Sequence, residues 1–66
     1  MNNKYILNQI KKAIRKSVKV YYYLKSLETN NYDEKLQINI MRICYIEDIL
    51  SALEIDLEAL ENEQLQ

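Results

Sequence analysis

The sequence predicts an all-α fold, an antiparallel two-helix hairpin whose core is completed by dimerisation into a four-helix bundle. Three observations carry this. Apolar residues recur at heptad spacing along two long stretches. A short polar interruption separates the stretches. Gly and Pro, the residues that most often punctuate turns and break helices, are absent from the chain.

Helix one is expected over about residues 4–28. Ile6, Ala13, Val20 and Leu27 stand seven apart, beside the columns Leu7, Ile14, Tyr21 and Ile10, Ser17, Leu24. Seven residues are nearly two turns, so the three columns merge into one stripe facing one way. Asn2 or Asn3 can cap its start, because a short side-chain oxygen accepts a bond from an orphan backbone N–H. Residues 28–33 (ETNNYD) then interrupt the pattern, and a break of that length joins antiparallel neighbours in helical bundles. Asn31 followed by Glu34 has the spacing of a capping box. Asn30 and Asn31 are the residues there most tolerant of a left-handed backbone.

Helix two is expected over about residues 33–62. Leu36, Ile43, Leu50 and Leu57 form one column, Ile46, Leu53 and Leu60 the next, and Ile38, Tyr45, Ala52 and Ala59 widen the seam. Glu47, Glu54 and Glu61 are expected at its wet edge. The predicted hairpin or dimer core is thus Ile10, Ile14, Tyr21, Leu24, Ile43, Ile46, Leu50, Leu53, Leu57 and Leu60, with Ser17 and Asn39 as polar residues that set register. A competing local signal exists. The Val- and Tyr-rich stretch from Ser17 to Leu24, and the alternation at Leu36, Ile38 and Ile40, suit strands, so a central β-hairpin flanked by helices is the alternative fold.

Charge supports the antiparallel arrangement independently. Residues 1–27 carry Lys4, Lys11, Lys12, Arg15, Lys16, Lys19 and Lys25 and no acid, whereas residues 28–66 carry ten acids against Lys35 and Arg42. The net charge of −1 therefore conceals halves of +7 and −8. Basic groups crowd the positive start of helix one and acidic groups the negative end of helix two, which opposes each macrodipole. Placing those two ends side by side relieves both misfits.

Size points to company. A chain of 66 residues buries only about 60% of the surface its unfolded form exposes. Small domains usually add disulfides, metals or oligomerisation. One cysteine and no histidine leave oligomerisation or a partner. The single Cys44, and the lack of an apolar signal segment near Met1, read as a reduced, cytoplasmic protein. No run reaches the roughly 18 apolar residues of a membrane span. The abundance of Ile, Asn, Lys and Tyr suggests an AT-rich genome, such as a low-GC bacterium or its phages.

Little here suits catalysis. Histidine, the usual acid–base group near neutral pH, is missing, as is any glycine loop to cradle phosphate. No enzyme activity, metal or cofactor is expected. Glu54, Glu58 and Glu61 share a helical face and have the oxygen ligands a hard cation takes, but a solvated edge is the preferred reading, because carboxylate-bridged metal bundles normally use a Glu-x-x-His pair and the chain has no histidine. Cys44 reads as an inert thiol beside the core.

The recognition signal lies in helix one. Tyr21, Tyr22 and Tyr23 sweep about 200° of helix and cannot share one core. Tyr21 belongs to the stripe, so Tyr22 and Tyr23 face solvent or a partner near Arg15, Lys16 and Lys19. Tyrosine and arginine are enriched at interface hot spots, which makes these five the expected contact with a larger protein. The alternative is nucleic-acid binding through Lys11, Lys12, Arg15, Lys16 and Lys19, with the tyrosines as stacking platforms.

The plan is similar to that of the Rop family, dimeric RNA-binding hairpin proteins of nearly equal length; the likeness lies in architecture, with no shared motif. Residues 4–10 (KYILNQI) also resemble the start of small phage late-gene regulators of the ArpU type, a likeness confined to about a tenth of the chain. The expected function is that of a small non-enzymatic regulatory adaptor or inhibitor that binds protein through a helix face, with a nucleic-acid-binding dimer as the alternative.

Overall fold

A computed structural model describes residues 3–65, and the expected cap at Asn2 lies outside them. Two α-helices, α1 (Asn3–Ser26) and α2 (Glu34–Leu65), pack as a hairpin 55 Å long and 14 Å across. No strand occurs among the described residues. Both stretches with β-leaning local preference are helical, because the sustained heptads on either side of them outweigh a few Val, Ile and Tyr residues.

α1 buries most of the stripe its spacing predicts, but Val20 and Leu27, towards the loop, each stay 45% exposed. Leu7 and Ile10 are buried, and Ile6, Ala13, Ile14, Tyr21 and Leu24 are half-buried against α2. Ser17 is buried among them, and its hydroxyl donates to the Ile14 carbonyl at 2.7 Å, so the core polar group is satisfied within its own helix. At the loop, the Leu27 N–H bonds to the Leu24 carbonyl and the Glu28 N–H to the Lys25 carbonyl, both at 3.1 Å. These three-residue closures carry the helical path two residues past Ser26.

The turn is built differently from the expected capping box. Asp33 caps α2: its Oδ1 accepts the Leu36 N–H at 3.2 Å, and its carbonyl accepts the Gln37 N–H at 3.1 Å. An aspartate one residue before the helix places its carboxylate at the orphan N–H groups and at the positive dipole end, which favours it over Asn31. Asn31 instead gives its N–H to Thr29 Oγ1 at 3.2 Å in a local turn. Neither asparagine adopts a left-handed backbone.

α2 is rotated about its axis relative to the expected seam. The column Leu36, Ile43, Leu50, Leu57 does face α1, half-buried. Beside it, however, lie Ile40, Glu47, Glu54 and Glu61, of which Ile40 is buried and the glutamates half-buried. The acids expected at the wet edge thus line the hairpin, where their methylene stems can cover α1 while the carboxylates reach its rim. Ile46, Leu53 and Leu60 turn out of the α1–α2 contact and remain 47%, 43% and 49% exposed. Asn39 is exposed as well, its amide donating to the Lys35 carbonyl at 2.8 Å, so it sets no register inside the hairpin.

The antiparallel charge argument has a direct counterpart. Lys11 of α1 pairs with Glu58 of α2 at 3.7 Å, joining the basic start of one helix to the acidic end of the other. At the loop end the charges already suit the dipoles, with Lys25 in the last turn of α1 and Glu34 in the first turn of α2.

Candidate interaction surfaces

The hairpin presents three surfaces of different chemistry. One flank is polar and carries the Lys11–Glu58 pair. Near the loop, Lys25 forms an ion pair with Glu28, which also accepts a 3.3 Å bond from the Gln37 amide and so ties the turn to α2. The hydrogen bond and charge of Glu28 raise the Lys25 pKa, and the hydrogen bonds from Lys25 and Gln37 hold the Glu28 carboxyl below its ordinary value. Both groups lie at the surface, so this is a local clamp on the turn and not a source of core stability.

The outer face of α1 is basic and aromatic. Lys12, Arg15, Lys16 and Lys19 are all exposed there, with Tyr22 and Tyr23 at 66% and 63% exposure. Helical spacing puts them opposite the Ile10 stripe, on the side of α1 turned away from α2. Tyr21 is half-buried, and its ring meets that of Tyr22 edge-on, with centroids 5.4 Å apart. This contact supports the Tyr22 ring from the core side and leaves its other edge to solvent. All five residues singled out for protein recognition therefore lie together on one exposed surface, and Lys11 and Lys12 continue it towards the start of the helix.

The third surface is apolar, and the sequence reading did not find its full extent. Ile38, Met41, Tyr45, Ile49 and Ile55 are exposed on the side of α2 away from α1, continuous with Ile46, Leu53 and Leu60. Ile38, Met41, Arg42 and Tyr45 enclose a shallow groove. A second groove, lined by Val20, Leu24, Ile43 and Ile46 with Asn39 and Arg42, opens on the flank between the helices. Nine residues of helix turn through about 900°, so Val20 and Lys11 sit on opposite flanks of α1.

The total exposed surface of the hairpin can be set against a physical scale. A compact folded protein of 7.9 kDa is expected to expose about 4,400 Å². The hairpin exposes 5586 Å², an excess of about 1,200 Å² over that expectation. A standard protein interface covers about 800 Å² on each partner, so the excess is enough for one complete interface. α2 carries apolar residues on both sides: Leu36, Ile40, Ile43, Leu50 and Leu57 share the side towards α1 with Glu47, Glu54 and Glu61, and Ile38, Tyr45, Ile46, Ile49 and Leu53 are exposed on the other.

Glu54 and Glu61 turn towards α1 while Glu58 pairs with Lys11, and among the described residues no group of three or more potential ligands converges. Cys44 is half-buried with a free thiol. No helix among the described residues is long and apolar enough to cross a membrane. Comparison with known proteins returns no match: no family model, no curated protein and no solved structure resembles this chain closely enough to assign it.

Proposed function

We propose that this chain is a non-enzymatic regulatory adaptor or inhibitor that acts by occupancy. Two copies join through the outer face of α2 into a four-helix assembly, and the basic, tyrosine-bearing face of α1 on each copy engages a larger protein. The observation that carries this reading is that α2 leaves Ile38, Met41, Tyr45, Ile49, Leu53 and Leu60 exposed on the side away from α1. With the two α2 helices at the centre, both α1 helices lie outermost, and the two recognition surfaces point away from each other. Such an assembly presents Arg15, Lys16, Lys19, Tyr22 and Tyr23 twice. Two linked sites raise avidity for a partner that is itself repeated.

The test uses the full chain as immobilised bait, beside a variant with both Tyr22→Ala and Tyr23→Ala. The expected outcome is a loss of partner retention of about tenfold or more, the scale of two hot-spot truncations, with helix content and mass unchanged. A variant that retains every partner as the wild type does would remove the assignment of this surface.

A second reading, nucleic-acid binding, draws support from one feature. The acids Glu47, Glu54 and Glu61 lie against α1 on its inner side, behind the outward-facing Lys12, Arg15, Lys16 and Lys19, so they stand away from a bound phosphate backbone. Phosphate contacts weaken steeply with salt. A gel shift at low salt that disappears at high salt supports this reading, and no shift at low salt eliminates it.

A further inference from the structure

The bare face of α2 carries a charge pattern that is complementary to itself. Lys35, Arg42, Ile49, Asp56 and Glu63 stand seven apart and form one column spanning about 42 Å of helix. All five side chains are exposed on the hairpin. The column runs between two apolar ones, Ile38, Tyr45, Ala52, Ala59 on one side and Ile46, Leu53, Leu60 on the other. Read from Lys35 to Glu63, it is two cations, an isoleucine and two anions, with Ile49 at the midpoint.

We propose that a second copy of this chain covers this face with its own α2 running antiparallel, the two-fold axis passing beside Ile49. This deepens the dimer reading above and rests on it. A two-fold axis makes the contact isologous, each patch meeting its own copy. Ile49 then meets Ile49 of the second copy, Arg42 stands level with Asp56 of the second copy, and Lys35 with its Glu63. Each charge pair occurs twice. The apolar columns interlock to within one residue's rise, about 1.5 Å: Ile46 stands beside Leu53 of the second copy, and Tyr45 and Ile38 stand beside its Ala52 and Ala59. Large side chains are thereby set against small ones, which lets the helices approach closely.

A parallel arrangement of the two α2 helices would instead bring Lys35, Arg42, Asp56 and Glu63 each against its own like charge. Like charges facing across an interface cost several kcal/mol, so this column selects the antiparallel orientation as well as the register. In the single hairpin, Arg42 donates from Nη1 to Asn39 Oδ1 at 3.3 Å, a solvent-exposed contact that a carboxylate can replace.

The experiment is a charge swap on the full chain, read by sedimentation velocity, with circular dichroism as the control for folding. Arg42→Glu and Asp56→Arg are made as separate proteins. Each alone sets like charges together at two places, so the dimer dissociation constant is expected to rise about tenfold or more. Mixed in equal amounts, the two variants pair opposite charges at both places, and a heterodimer near wild-type affinity is expected. A variant too weak to fold alone should regain helix content together with mass on mixing, so the test holds in that case also. As a second measure, Ile49→Cys in a Cys44→Ser background is expected to form an interchain disulfide under mild oxidation. A wild-type dimer whose single swaps dimerise normally, or whose mixture fails to recover, overturns the register while leaving dimerisation intact. A monomeric wild type overturns the dimer reading itself.

Discussion

Replacing Ile49 by alanine separates a paired α2 from a solitary one by the sign of its effect. Ile49 keeps 51% of its surface in the single hairpin. Burying a whole isoleucine side chain contributes about 1.5–3 kcal/mol, so covering the exposed half contributes about 0.75–1.5 kcal/mol per copy. The proposed axis brings both copies of Ile49 together, which makes the loss in Ile49→Ala about 1.5–3 kcal/mol per dimer. At 1.4 kcal/mol per decade, the dimer should weaken about 10- to 150-fold. In a solitary hairpin the same change removes solvated surface and adds a better helix former, with a gain of a few tenths of a kcal/mol. Thermal melting of wild type and variant at two concentrations a hundredfold apart distinguishes these cases. The expected result is a concentration-dependent melting temperature that falls in the variant. An equal or higher melting temperature in the variant at both concentrations would refute the reasoning.

Three further predictions concern the hairpin itself. Ile10→Ala removes a buried side chain from the α1 stripe and should cost about 2–5 kcal/mol, measured by urea denaturation; a loss under 1 kcal/mol would show that the stripe does not hold the helices together. Asp33→Ala removes the cap of α2 and should cost about 0.5–2 kcal/mol, with Asp33→Asn recovering most of it in the same assay, whereas Asn31→Ala should be close to neutral. The Glu28 clamp has a defined pH response: its folded pKa lies below its unfolded one, so its contribution is present above the ordinary glutamate value of about 4.3 and is lost as pH falls through the lowered value. Glu28→Gln should therefore lower the melting temperature slightly at neutral pH and leave it unchanged well below about pH 4.3, so that the acid limb becomes shallower; an unaltered acid limb would show that the clamp contributes nothing in solution.

The readability of this sequence divides between its helices. In α1 the apolar residues occupy one stripe and the charges the rest, so the buried set around Ile10, Ile14, Tyr21 and Leu24 follows from spacing alone. α2 offers no such choice, since Ile38, Tyr45, Ile49, Ile46 and Leu53 surround it almost as fully as Leu36, Ile43, Leu50 and Leu57 do. Periodicity assigns it a seam but cannot say which face goes to α1 and which stays outside the hairpin. The most apolar pair of columns pointed to Ile46, Leu53 and Leu60, whereas the hairpin takes the columns through Leu50 and Glu54. Glutamate stems can line a half-wet interface, and that freedom is invisible to a count of apolar residues. The loop was legible in length but not in detail, because Asn31 and Asp33 are both competent caps and only the start of the helix decides between them. The exposed set Arg15, Lys16, Lys19, Tyr22 and Tyr23 was legible for a simple reason: a helix with one apolar stripe leaves everything opposite it outside.

The mass of the wild-type chain in solution tests the central claim most directly. Sedimentation equilibrium across the micromolar range should report a folded species of twice 7.9 kDa, dissociating only on strong dilution and losing helix content as it does so. A single folded species of 7.9 kDa at every concentration, melting cooperatively and independently of dilution, would contradict it.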